Sequence, residues 1–133
     1  MRTVLLIAAA VLLSGCPAKP QQLQGDDHQM FLAAKQVALA INGYHSDTAE
    51  WPETIEQAAP YLEPGASWPA NPYNGAALSD TASPEFDPQS SPGNVCYEKF
   101  YRNGQLCNYQ LHVFGEHGTI YIFGNSAFGA KQR

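Results

Sequence analysis

The middle of this chain cannot be regular. After Pro60, proline returns at Pro64, Pro69, Pro72, Pro84, Pro88 and Pro92. Each proline fixes φ and removes a backbone donor, so helix interior and central strand are both excluded there. Regular structure must lie on either side of that stretch, and the two sides have different periods. Before it, Met30, Ala34, Val37, Ala38, Ile41 and Tyr44 recur at three- and four-residue steps, with Gln29, Lys35, Gln36 and Asn42 between them. That spacing predicts an amphipathic helix. Asp26-Asp27 suits its start and Gly43 its end. After the proline stretch, Val95 to Tyr101, Cys107 to Phe114 and Thr119 to Phe123 are rich in Val, Ile, Tyr and Phe, and read as three strands. The expected fold class is α+β, with a long helix packed on a small three-stranded antiparallel sheet.

The turns refine this. A tight turn at Glu116-His117 sets Val113 opposite Ile120, which puts Tyr109, Leu111, Val113, Ile120 and Ile122 on one face. The other hairpin holds a conflict. Asn103-Gly104 is a two-residue hairpin signal that would set Phe100 opposite Cys107. A cross-strand Cys96–Cys107 pair demands a wider loop instead. The expectation taken here is the disulfide, with Lys99 to Gln105 irregular. It would close a loop of about ten residues and contribute ~2–3 kcal/mol. Within the proline stretch, Trp51-Pro52 opens a shorter helix, with Pro52 near its first position and Pro60 stopping or kinking it. Trp68 and Tyr73 fall in an irregular loop, where they either lie over a core edge or form an aromatic recognition surface. With Tyr101 they are the candidate partner-binding residues. Leu78 to Gly93 reads as a long surface loop, and a loop of that length is either mobile or functional. Asp80, Glu85 and Asp87 fall in it and are candidate oxygen ligands for calcium, although no EF-hand spacing is present.

The first residues read as an address. Met1-Arg2 supplies a positive charge, Thr3 to Leu13 is apolar, and Ser14-Gly15 gives small residues before Cys16. Leu13-Ser14-Gly15-Cys16 resembles the lipobox of bacterial lipoproteins. That resemblance implies a leader at residues 1–15, removed in the mature protein, and a Cys16 carrying fatty acyl chains such as palmitate. The apolar run is shorter than the ~20 residues of a membrane span, so lipid would be the anchor. Pro17 in place of an acidic residue after the cysteine implies, by the same resemblance, the outer membrane, with the domain facing the periplasm. The expected organisation is residues 1–15 leader, 16–26 lipidated cysteine and polar tether, 27–124 globular domain and 125–133 flexible tail. A tether of about ten residues has a typical reach under ~20 Å. With Cys16 given to lipid, Cys96 and Cys107 remain for an oxidising compartment, where a disulfide is the default.

Composition limits the partners. Lys+Arg number 7 against Asp+Glu 12, which argues against nucleic acid and against a polybasic membrane patch. Charged residues are 14%, with Gly 11 and Pro 10, as suits a loop-rich globular domain. His28, His45, His112 and His117 form no pair at metal-ligand spacing on one element. There is no phosphate-cradling glycine loop or dinucleotide fingerprint. No cofactor and no catalytic residue is expected.

The order of several short motifs resembles a known family. Ile41-Asn42-Gly43-Tyr44 precedes Trp51-Pro52. Then come Trp68-Pro69-Ala70-Asn71-Pro72-Tyr73-Asn74-Gly75 and Ser91-Pro92-Gly93-Asn94-Val95-Cys96-Tyr97, and finally Tyr109-Gln110-Leu111-His112-Val113-Phe114-Gly115 with Gly118. Over roughly residues 28–124 this is similar to the globular half of type II secretion pseudopilins and type IV pilin-like proteins. The resemblance implies a pilin-like helix-on-sheet domain that binds or scaffolds an envelope partner without catalysis, in association with a secretion or pilus-type system. A pilin subunit carries an apolar helical stalk where this chain has the lipobox, so fibre assembly does not carry over. The alternative is a small envelope enzyme or inhibitor with a site in Leu78–Gly93. The two differ in what they leave exposed, a convergent polar cluster or an aromatic patch.

Overall fold

A computed structural model describes residues 23–124. The leader, Cys16, most of the tether and the tail 125–133 lie outside the described residues. Among the described residues the fold is α+β, with one α-helix and one three-stranded antiparallel sheet in the order β1-β2-β3. Helix α1 runs Gly25–Thr48, and the strands are β1 Val95–Arg102, β2 Gln105–Phe114 and β3 Thr119–Gly124. Among the described residues no helix is long and apolar enough to cross a membrane.

Helix α1 forms where the period said it would, and it outlasts the expected end. Its buried side is Met30, Ala34, Val37, Ala38, Ala40 and Ile41. These meet Val95, Tyr97, Tyr109, Leu111 and Val113 from one face of the sheet. Gly43 does not end the helix, although glycine costs ~1 kcal/mol in a helix interior relative to alanine. It leaves room for Tyr61, whose Cβ would lie 3.3 Å from a Cβ added at position 43. The helix stops about one and a half turns later, where Ala49 turns left-handed (φ 61°) and its N–H returns to the His45 carbonyl at 2.8 Å. His45 is therefore helical rather than past the helix. The second helix is a 3₁₀ turn at Ile55–Tyr61, with Pro60 inside it. Pro52 precedes it, and its carbonyl accepts from the Tyr97 hydroxyl at 2.7 Å. Gln57 Oε1 starts the turn by accepting from the Glu53 N–H at 2.7 Å.

The sheet overturns two expected registers. In the first hairpin Arg102 opposes Gln105, so Asn103 (φ 52°) and Gly104 (φ 75°) are the two-residue turn. Tyr101 then opposes Leu106 and Phe100 opposes Asn108, which leaves Cys107 as an extra residue in a bulge. Cys96 opposes His112. Five residues of strand at ~3.4 Å each separate His112 from Cys107, about 17 Å. A disulfide needs Cα atoms within about 7 Å. Both cysteines are accordingly free thiols, and the expected bridge is corrected. The positive-φ turn chemistry of Asn103-Gly104 outweighed the cysteine pairing.

The second hairpin keeps its turn, closed by Gly115 N–H to the Gly118 carbonyl at 2.8 Å. Phe114 opposes Thr119, but Val113 opposes Tyr121, so Ile120 is the extra residue of a second bulge. From there the strand is shifted by one. Tyr121 and Phe123 turn toward α1, where Phe31 meets their rings at 5.0 and 5.5 Å. Ile122, expected in the core, opposes His112 and is 48% exposed. A one-residue slip moves every later side chain to the opposite face.

Ile41 is fully buried and Lys35 is exposed on the same helix. In denaturant melts of the Cys16→Ser protein, Ile41→Ala is expected to cost about 2–5 kcal/mol. Lys35→Ala should stay within about ±0.5 kcal/mol.

Candidate functional site

The proline-rich segment between the 3₁₀ turn and β1 folds back on itself through one buried amide. Asn71 is 1% exposed. Its Nδ2 donates to the Pro92 carbonyl at 2.9 Å, and its Oδ1 accepts from the Tyr73 N–H at 2.8 Å. Its backbone closes a turn, with Asn71 N–H to the Ala76 carbonyl at 2.7 Å and Gly75 N–H to the Asn71 carbonyl at 2.8 Å. Gly93 lies against this amide with φ 75°, and a Cβ there would fall 1.9 Å from Asn71 Oδ1. Only glycine satisfies both the backbone angle and the contact.

Leu78 to Gly93 continues the same economy. Ser79 to Thr81 runs beside β1, with Val95 N–H to the Ser79 carbonyl at 3.1 Å and Thr81 N–H to the Val95 carbonyl at 2.8 Å. Asp80 Oδ1 accepts from the Ala82 and Tyr97 N–H groups at 2.9 and 3.1 Å. Asp87 accepts from the Gln89 N–H at 2.9 Å and the Ser90 hydroxyl at 3.1 Å. The Ser91 hydroxyl accepts from the Asp87 N–H at 2.7 Å. Phe86 anchors the loop on Phe114, with ring centroids 5.9 Å apart. Asp80, Glu85 and Asp87 are not gathered for calcium. The first and last are spent on turn geometry, and among the described residues no trio of His, Cys, Asp or Glu is placed to hold a metal ion.

The candidate aromatic surface also separates. Trp68 and Tyr73 are partly buried against the core. The Trp68 indole donates to the Leu78 carbonyl at 2.9 Å. The Tyr73 hydroxyl donates to Asp27 Oδ1, which also accepts the Glu116 N–H at 3.1 Å. Burial, followed by that carboxylate, pushes the Tyr73 hydroxyl well above its ordinary range. Tyr101 stands apart near the first hairpin turn, 52% exposed, donating to Glu53 Oε2 at 3.0 Å. Packing accounts for Trp68 and Tyr73, and the three do not share one exposed patch.

The sheet face away from α1 brings Cys96, Glu98 and His112 together. Cys96 opposes His112, and His112 Nε2 lies 2.7 Å from Glu98 Oε2. The types suggest nucleophilic chemistry, but the environment opposes it. Burial pushes the Cys96 thiol up to about 11, with Asp80 and Glu98 adding to the shift, so it stays protonated at neutral pH. At the far end of α1, His45 stacks on Trp51 with centroids 3.7 Å apart, and the Trp51 indole donates to the Cys107 carbonyl at 3.1 Å. The His45 Nδ1 is buried with no hydrogen-bond partner. This stack ties the helix end to the first bulge.

Sequence reasoning gave Asp27 only a helix start. It also joins α1, the Tyr73 loop and the second hairpin. No local pattern announces that, because its partners lie 46 and 89 residues away. No protein-family model, no curated protein and no solved structure matches this chain.

Two measurements test these assignments. Both thiols should alkylate in denaturant without reductant, and in the folded protein Cys107 should react well before Cys96. The raised Cys96 pKa stabilises the fold fully below the unfolded thiol value of about 8.5. That contribution is lost as pH rises toward 11, so the unfolding midpoint should fall across this window. A mass two hydrogens short, with no labelling, would restore the bridge. For the buried amide, Asn71→Ala should cost about 1–3 kcal/mol and Gly93→Ala about 3–5 kcal/mol. In a double-mutant cycle the second change should cost less once Asn71 is alanine, because the clash is gone and only the left-handed backbone strain remains.

Proposed function

We propose that this chain is a lipid-anchored envelope protein whose domain, similar to the globular half of pseudopilins, binds or scaffolds a partner and does no chemistry of its own. One observation carries the non-catalytic part. The side chains of Asn71, Asp80, Asp87 and Ser91 in the connector are engaged with its own backbone and with β1. A catalytic loop keeps such groups free to converge on a substrate. For a site in Leu78–Gly93, Asp80 and Asp87 would first have to leave these bonds, which favours the non-catalytic reading.

The pilin-like part rests on the motif order and on its agreement with a helix, a proline-rich connector and a meander of three strands. The anchor rests on Leu13-Ser14-Gly15-Cys16, with Pro17 favouring the outer membrane and a periplasmic domain. Several acyl chains give the stable attachment that one chain does not. With the lipobox standing in place of an apolar stalk, the domain serves as a tethered module beside an envelope assembly rather than as a fibre subunit.

Mass spectrometry of the mature N-terminus should find an acylated Cys16, and wild-type protein should fractionate with membranes. Cys16→Ser should release it to the unanchored fraction. An unmodified Cys16 in wild-type protein would end the lipoprotein reading.

A further inference from the structure

The least explained surface is aromatic and lies beside the start of α1. Phe31 touches Tyr121 and Phe123, and these two touch each other with centroids 4.5 Å apart. Tyr121 is 45% exposed on the edge strand β3. A shallow, open depression lined by Leu23, Gln24, Gly25, His28 and Phe31 continues this surface to the point where the described chain begins. The rings are held by a helix and a strand, so they present a fixed face rather than a mobile loop.

We propose that the face formed by Leu23, Phe31, Tyr121 and Phe123 rests on the headgroup boundary of the bilayer that holds the Cys16 lipid. The proposal rests on the lipid-anchored reading. Covalent geometry then limits where this face can go. Cys16 and Gly25 are nine residue steps apart, and a fully extended chain gains at most ~3.6 Å per step, about 32 Å in all. Phe31 lies six helical residues further, about 9 Å. A bilayer is therefore always within reach at high effective concentration, whereas a protein partner must be recruited.

The chemistry fits that occupant. Phenyl and phenol rings with one wet edge settle at the membrane interface. Lys35, one turn beyond Phe31, has an apolar stem that can lie along the surface while its ammonium reaches headgroups. The chain's formal charge of -5, with Asp26 at the helix start, selects a zwitterionic rather than an anionic surface.

Full-length lipidated protein in phosphatidylcholine vesicles brominated on the acyl chains tests this by tryptophan quenching. Wild type supplies the background from Trp51 and Trp68. Tyr121→Trp should be quenched at least threefold more than Gln105→Trp, which reports from the first hairpin turn. His28→Trp, exposed on α1, should follow Tyr121→Trp without disturbing the sheet. Vesicles rich in phosphatidylglycerol should not increase the quenching. Mass spectrometry on the same sample separates the two readings. An acylated Cys16 with Tyr121→Trp and His28→Trp no more quenched than Gln105→Trp overturns the docked face alone, as does shielding of Tyr121→Trp that appears only after envelope proteins are added. An unacylated Cys16 overturns both the face and the anchor.

Discussion

The buried amide of Asn71 is the contact on which the irregular half of the domain depends. It sits where the chain has just left one proline-rich turn and must later pass again on its way into β1. By bonding to the Pro92 carbonyl it fixes the entrance to the sheet from a position more than twenty residues upstream. A buried amide left without partners costs more than the bond itself contributes, so the two strands of loop are locked to one another rather than merely adjacent. Gly93 is the corollary. Its absent side chain is the space the amide occupies.

From that clasp the order of the structure follows outward. Fixing Pro92 positions Val95, and Val95 lets Ser79 to Thr81 lie along β1. Leu78 is thereby drawn into the core while the Trp68 indole caps its carbonyl. The other end of the domain is closed by Asp27, which ties the helix start to Tyr73 and to the second hairpin. Gly115 has no side chain where Asp27 and Ile120 approach to 2.6 Å of its would-be Cβ. The connector that carries no regular element thus decides how the helix and the sheet meet.

What was readable in the sequence was whatever depends on local period. Met30, Ala34, Val37 and Ile41 announced the helix face, and Leu111 and Val113 announced the inner face of β2. What was not readable depends on a single extra residue. The bulges at Cys107 and Ile120 leave no trace in an alternation of apolar and polar residues, yet each moves everything beyond it by one place. Two cysteines in a chain whose first residues read as an export leader looked like a bridge, while Asn103-Gly104 demanded a tight turn. The turn prevailed because its backbone angles suit the twist of a hairpin. The candidate site suffered in the same way. Trp68, Tyr73, Asp80 and Asp87 have the residue types of a surface that meets something else, but hydrogen bonds, local for Asp87 and long-range for Tyr73, turn them to the chain itself.

The two margins of the sheet are unlike. β1 is flanked by Ser79 to Thr81 and carries Glu98, Lys99 and Arg102. β3 reads Thr119-Ile120-Tyr121-Ile122-Phe123-Gly124, with neither charge nor proline, and among the described strands it pairs only with β2. An unguarded margin of this kind accepts further strands. Among the described residues, growth of the sheet therefore has one open side. Two copies meeting edge to edge at β3 would join their sheets into one, so this margin is where the domain is exposed to its own copies.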